Sequence, residues 1–280
     1  MARTGRHPLA ALIPLLAFLA VLVPLGAGTA HAESNGGVKV MPLGDSITDG
    51  FNVPGGYRVG LWQKFTAGRY KVDFVGSLFN GPAGLGDHDH EGHSGWTIQQ
   101  IDDNVVNWLR NQNPHTILLH IGTNDIYGSD PAGAPARLST LIDHITAQAP
   151  NAELFVATIT PLGFMDSTVR AYNAAIPGIV RSKANAGKRV HLVDMYSALT
   201  PADLADGVHP NAGGYDKMAD VWWRGLLSVP GSIGTPSSAT PSSATPSSAT
   251  PSSATPSSAT PSSGTAGSTA YGNGSAARAA

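Results

Sequence analysis

The chain has no cysteine in its 280 residues, so neither a disulfide framework nor thiolate chemistry is open to it and packing must hold the fold. Charge of one sign is equally scarce. The formal net charge is −2 at pH 7, which argues against a basic nucleic-acid surface and gives no case for attraction to anionic membranes. Beyond the N-terminal segment, no apolar run is long enough to span a bilayer.

Both ends read as non-globular. Residues 1–32 begin with Arg3 and Arg6, continue through an apolar run from Leu9 to Ala27 interrupted by Pro14 and Pro24, and close on Ala30-His31-Ala32. That order predicts a secretory signal peptide cleaved after Ala32, and hence a secreted, extracellular protein with no membrane attachment after cleavage. From Thr235 the unit Thr-Pro-Ser-Ser-Ala repeats, then decays into Gly, Ser, Thr and Ala. Such a tract buries too little to offset its ordering entropy, so residues 231–280 are expected to be a disordered tail, either a stalk or a linker stump. Residues 33–230 remain, roughly 200 residues, enough for one domain with a sizeable core.

Within that domain, apolar β-rich runs at 38–43, 72–75, 116–121, 153–158 and 190–193 alternate with helical spacing at 57–67, 97–110, 134–148, 169–183 and 212–227. Strand alternating with helix predicts an α/β fold, a three-layer α/β/α sandwich with a five-stranded parallel sheet of flavodoxin-like order. Its switch point lies beside the first strand, so the loops after strands one and three should face one crevice.

The first run ends in Gly44-Asp45-Ser46. A serine just past such a strand stands at the carboxyl edge of the sheet, where open α/β folds bind ligands, and a following helix points backbone N–H groups at it. Ser46 is the nucleophile candidate, although Gly, Asp and Ser also make ordinary turns. After the third strand, Gly122-Thr123-Asn124-Asp125 places Asn124 at the same edge. A side-chain amide is a neutral donor suited to holding an oxyanion, and turn chemistry is the competing reading. Arg58, after a Gly/Pro loop, is a candidate substrate contact or else a surface ion pair.

Residues 87–93 hold three histidines and three carboxylates. The spacing matches no zinc site, and contiguous ligands on one loop cannot all face one ion, so no metal and no other cofactor is expected. The adjoining Gly95 has a backbone N–H unobstructed by a side chain, suited to an oxyanion hole. Trp96 is either a sugar-stacking wall or the core anchor of the next helix.

In Asp206-Gly-Val-His209-Pro210 a carboxylate and an imidazole stand three residues apart. If the turn is tight, Asp206 accepts from one ring nitrogen while the other faces out, and Pro210 suits the first helical position, putting His209 at a helix entrance. Asp87 and His90 repeat the spacing, but between the second strand and the next helix. Set beside the serine turn and the Gly-x-Asn-Asp turn, in that order, Asp206-x-x-His209 completes a base-plus-orienter constellation.

These four blocks, Gly44-Asp45-Ser46, Gly95, Gly122-x-Asn124-Asp125 and Asp206-x-x-His209-Pro210, resemble those of the GDSL/SGNH hydrolases. Tyr57-Arg58, Asp89-His-Glu-Gly-His-Ser-Gly-Trp96 and Asp194-Met-Tyr are similar, more narrowly, to the secreted carbohydrate esterases of family 3, which include acetylxylan esterases. The resemblance implies the three-layer fold, Ser46 as nucleophile, His209 as base and Asp206 as its orienter. It implies an oxyanion hole formed by the Ser46 and Gly95 N–H groups and the Asn124 side chain. Ile47 stands where the family name has leucine, a conservative change. The lack of cysteine sets the chain apart from the disulfide-bearing actinobacterial-type lipases of the superfamily.

The expected protein is a monomeric, metal-independent serine esterase that removes acetyl groups from plant cell-wall polysaccharide, xylan first, with an acetylated polysaccharide as partner and no nucleic acid. Two alternatives are a lipase or phospholipase, for which no hydrophobic insertion or lid is visible, and a non-catalytic wall-displayed carbohydrate-binding module.

Overall fold

The computed structural model describes residues 34–238; the expected signal segment 1–32 and the repeat tail from residue 239 lie outside the described residues. In chain order the elements are β1 (Val38–Gly44), α1 (Ser46–Asp49), α2 (Tyr57–Ala67), β2 (Val72–Phe74), β3 (Leu78–Phe79), β4 (Asp89–Gly92), α3 (Ile98–Gln112) and β5 (Thr116–His120). They continue with α4 (Thr123–Tyr127), α5 (Ala134–Gln148), β6 (Glu153–Ala157), α6 (Asp166–Asn185), β7 (Val190–Val193) and α7 (Ala212–Leu227).

Side chains alternate across the strands, and both faces are buried. Met41, Leu43, Ile117, Leu119, Leu154 and Val156 face α3, α5 and α6, whereas Val40, Leu118, Phe155 and Ala157 face α2 and α7. This is why the strands read as near-continuous apolar runs rather than as polar-apolar alternation. Helix α3 shows the local logic. Thr97 and Gln100 form a capping box, Asn113 closes the far end in a left-handed conformation, and Ile98, Ile101, Val105 and Leu109 make one buried stripe. Each of these buried aliphatic side chains contributes about 1.5–3 kcal/mol.

The sheet has seven strands, not the five expected. Residues Val40 to Gly44 of β1 pair with β5 on one side; on the other, β2 pairs with Val38–Val40 and β4 with Leu43 and Gly44. Two short strands therefore share, end to end, the position expected for one. From β1 the parallel order runs through β5, β6 and β7, as the flavodoxin-like expectation requires, and β3 adds an antiparallel edge to β4. The segment read as a His/Asp-rich loop is thus largely the buried strand β4.

The C-terminal boundary also moves. Ile233 is buried in the core, Thr116 Oγ1 donates to the Ser232 carbonyl, and Ser232 Oγ donates to Leu226 at 2.8 Å. Packed chain therefore continues past residue 230, because an apolar side chain in the Gly-Ser-Ile-Gly turn finds a place under α7. No described helix is long and apolar enough to cross a membrane.

Candidate active site

The register of three neighbouring strands builds the site. Gly44 of β1 lies level with Gly92 of β4 and His120 of β5, so the chain leaves all three strands at one carboxyl edge within a few residues of Ser46, Gly95 and Asn124. Gly44 is held in close contact there, since a Cβ on it would stand 2.2 Å from the His120 carbonyl oxygen.

Ser46 opens α1 directly after Asp45, whose side chain caps the helix by accepting from the Ile47 N–H at 3.0 Å. The Ser46 hydroxyl lies 2.9 Å from His209 Nε2, and His209 Nδ1 lies 2.8 Å from Asp206 Oδ2. Because the carboxylate can only accept, Nδ1 carries the hydrogen and the Nε2 lone pair faces the serine hydroxyl. Asp206 is well supplied with donors. Its Oδ1 accepts the Val208 and His209 N–H groups at 3.0 and 2.8 Å, and its Oδ2 also accepts from Asn52 Nδ2 at 2.9 Å. Partial burial pushes the Asp206 carboxyl up, but donation from the His209 backbone and ring, Asn52 and the Val208 N–H outweighs it and holds the group well below the ordinary carboxylate range. Asp206 is therefore a persistent anion.

The oxyanion-hole candidates follow strands that end level with the one that carries the serine. Asn124 Nδ2 donates one hydrogen to the Trp96 carbonyl at 2.8 Å, which fixes the amide and leaves its second hydrogen for a ligand. Gly95 has φ +82°, a conformation that favours glycine, and a Cβ there would meet nothing within 4 Å. Among the described residues, no acceptor takes the Gly95 or Ser46 N–H. Together with the serine–histidine–aspartate chain, these donors form an arrangement able to support nucleophilic attack on a carbonyl carbon and to hold the resulting oxyanion.

Several expectations need correction. Arg58 is neither a substrate contact nor a surface pair. It is completely buried and donates to the Asn80 and His88 carbonyls at 3.2 and 3.0 Å, to the Asp49 carbonyl at 3.4 Å and to Asn80 Oδ1. Burial lowers its pKa to about 10, so it remains a cation that ties α1 to the β3–β4 region. Pro210 does not begin the last helix. It pairs with Leu204, and Asn211 caps α7 by accepting from the Gly214 N–H at 2.9 Å, so His209 lies in the preceding turn and not at the helix entrance. Trp96 is at once packed against the core and part of a cavity wall: it is half-buried, stacks on His93 with ring centroids 4.2 Å apart, and its carbonyl accepts from Asn124 Nδ2.

The acidic side chains of the 87–93 segment turn to different partners, and within the segment Glu91 Oε1 lies 2.7 Å from His93 Nε2. Asp87 Oδ2 accepts from the Phe74 N–H at 2.8 Å, and Glu91 accepts from the Ser77 N–H at 2.9 Å and the Ser77 hydroxyl at 2.6 Å. Among the described residues, no three His, Asp or Glu side chains are grouped to hold an ion.

Three contributors escaped the sequence reading. Asn52 reaches Asp206 across 154 positions of chain, which no local signal announces. Phe51 places its ring 4.9 Å from that of His209. Asp125, read only as part of a turn, accepts from the Ile98 N–H at 2.8 Å and from Arg137 Nε at 2.9 Å, joining α3, α4 and α5 behind the Asn124 turn.

The profile of the GDSL-like Lipase/Acylhydrolase family matches residues 43–217, which spans the serine turn and the Asp206-His209 segment. A family 3 carbohydrate esterase of Clostridium thermocellum superposes with a TM-score of 0.63 at 42% identity, over 68% of this chain and 96% of that one. An acetyl esterase crystallised with an acetate ion gives a TM-score of 0.62 at 33% identity, over 68% and 97%. A multidomain esterase of Ruminococcus flavefaciens is 34% identical over 221 residues, 68% of this chain and 28% of that protein. The chain spans less than two thirds of the length of the curated relatives it matches. With the fold, the four blocks and the family profile in agreement, the chain belongs to the GDSL-like lipase/acylhydrolase family of ester hydrolases.

Proposed function

We propose that this chain is a secreted serine esterase that removes short acyl groups, acetyl first, from plant cell-wall polysaccharide, most of all xylan. The observation that carries this reading is the continuous chain from Asp206 through His209 to the Ser46 hydroxyl, with contacts of 2.8 and 2.9 Å. His209 Nε2 takes the serine proton as Oγ bonds to the ester carbonyl carbon, and the Ser46 and Gly95 N–H groups and the Asn124 amide receive the oxyanion. The tetrahedral species collapses, His209 gives its proton to the departing sugar oxygen, and an acyl-serine remains. Water, deprotonated by His209, then repeats the addition, and serine leaves with the proton. The kinship to a protein named a family 3 carbohydrate esterase and to one named an acetyl esterase supports the acyl and sugar classes. The composition of residues 1–32 supports export, and the near-neutral charge supports a neutral polysaccharide as partner.

The test is acetate release from acetylated xylan, run beside p-nitrophenyl esters of increasing acyl length and a Ser46→Ala control. Acetate from xylan and a preference for the two-carbon ester, both lost in the control, are expected. Faster turnover of long acyl esters with no acetate from xylan would replace this reading with the lipase one. Within the same assay, Asn124→Ala should lower kcat by about 10²–10³-fold, the usual weight of one oxyanion donor; full activity in that variant would remove Asn124 from the hole.

A further inference from the structure

Beside the serine turn lies a cavity of about 290 Å³ that the acyl-transfer chemistry does not use. Its walls come from α1, β3, β4 and the turn after β4, and they include Asp49, Phe79, Asn80, His93, Ser94 and Trp96. Asp49 is three residues after Ser46 in the same helical turn, so the cavity begins beside the nucleophile.

The chemistry of the lining is mixed in a specific way. Phe79 is 68% exposed although it belongs to a strand, and its outward ring is backed by the ring of His88 at 4.7 Å. Trp96 gives a second aromatic wall, backed by His93 and Trp108. Between them stands the Asp49 carboxylate, to which Asn80 Nδ2 and Ser94 Oγ donate, while the nearby Arg58 guanidinium reaches only the Asp49 backbone. The cavity floor includes His90, which is 1% exposed. His90 Nδ1 accepts from the Gly92 N–H at 3.1 Å, so in the neutral ring the hydrogen is on Nε2. Burial keeps the ring neutral. Among the described residues the Nε2–H has no hydrogen-bond partner, although Asp49 Oδ1 stands 3.8 Å away, and a buried unpaired donor is costly unless a ligand completes it.

We infer that this cavity is a glycosyl subsite for a neutral pyranose of the polysaccharide chain, with the sugar faces against Phe79 and Trp96 and one hydroxyl seated between Asp49 and His90. That hydroxyl donates to the Asp49 carboxylate and, with a small turn of that carboxylate, accepts from His90 Nε2. The inference rests on the ester-hydrolase reading for its choice of sugar. Aromatic faces take the apolar faces of a pyranose while polar groups take its hydroxyl edge. The Asp49 carboxylate is the charge that lines the cavity, whereas the Arg58 guanidinium behind it is completely buried and committed to the Asn80, His88 and Asp49 carbonyls and to Asn80 Oδ1, so the lining selects against an acidic sugar.

The probe is linear xylotetraose, which carries no ester and reads the cavity apart from hydrolysis. Titrated into the full chain and followed by NMR, it should bind saturably. Phe79→Ala, a change at an exposed side chain, should weaken that binding tenfold or more, and tetragalacturonate should bind at least tenfold more weakly than xylotetraose. A melting midpoint near that of the parent shows that the variant is folded. In Asp49→Asn the discrimination against tetragalacturonate should shrink, an effect that loss of fold would not produce. No saturable binding, binding unchanged by Phe79→Ala, or a preference for the uronate overturns the subsite. Acetate release from acetylated xylotetraose, measured in parallel, keeps the two readings apart. Release without xylotetraose binding sinks the subsite alone, whereas binding without release sinks the esterase reading and leaves the subsite standing.

Discussion

The sequence contains the same four-residue pattern twice, and the fold gives the two copies opposite fates. In the second, Asp206 and His209 span a tight turn through Gly207, and one carboxylate holds both the backbone and the ring of the same histidine. In the first, Asp87 and His90 straddle the start of β4, and the carboxylate turns away to cap the Phe74 N–H and, at 3.3 Å, that of Asp89. His90, in the strand, faces inward and takes the Gly92 N–H on its Nδ1. Sequence spacing therefore sets only the reach between two side chains. The backbone between them decides whether they meet, because a turn brings positions three apart together whereas a strand sets them on opposite faces about 10 Å apart.

The strongest way to break this comparison is to exchange the histidines' roles in an assay. His209→Ala should reduce ester hydrolysis by roughly 10⁵–10⁶-fold in kcat, since serine without its base loses nearly the whole contribution of the unit. Activity surviving in His209→Ala would shift the search for the base to the first copy. Next in size, Asp206→Asn should cost about 10³–10⁴-fold in kcat, because an amide can donate to Nδ1 and so favours the wrong tautomer. Residual loss below tenfold would mean that the His209 ring is oriented by its surroundings alone. Smaller again is Asn52→Ala, which removes one of the donors to Asp206 Oδ2. A fall of roughly twofold to tenfold in kcat/KM is expected, in keeping with about 0.5–1.5 kcal/mol for one hydrogen bond.

What the sequence made legible follows the same line between local and distant causes. Helices α2, α5 and α7 and strand β7 begin and end where their apolar spacing and flanking turn residues place them, because capping and periodicity act over a few residues. Asp89–Gly92 is a strand with no aliphatic or β-branched residue in it. It is buried because β1 and β3 offer paired edges, Ser77 and His93 satisfy Glu91, and the Gly92 N–H donates to His90 Nδ1, a tertiary override of propensity. Arg58 follows the same logic, since a long cation is normally exposed and here lies inside a ring of carbonyls drawn from three separate segments. The serine, asparagine and Asp-x-x-His segments were legible because each sits at the end of a strongly patterned strand or before a strongly patterned helix. Asn52 was not, because its meaning comes from a partner far along the chain.

The smallest effect separates the two aspartates by pH. Burial raises the Asp87 carboxyl to about 6, above the roughly 3.9 of an unfolded aspartate. Between about pH 4 and 6 the folded protein therefore holds a proton that the unfolded chain has released, so stability falls as pH rises through that window and levels off above it. Asp206 has the opposite sign. Its depressed pKa contributes stability that is complete above the unfolded value and is lost as pH falls below it toward the folded one. Asp45, raised to about 7 by burial, slopes in the same direction as Asp87 and overlaps its window, so a melting curve of the parent alone does not separate them. The informative quantity is the difference in midpoint between the parent and Asp87→Asn, in which the Asp45 contribution cancels. That difference should change steadily from pH 4 to 6, the parent losing ground to the variant, and stay constant from 6 to 8. A difference that is flat from 4 to 6 would mean that Asp87 is ionised across the window, and the contrast between the two carboxylates would then lie in their partners alone.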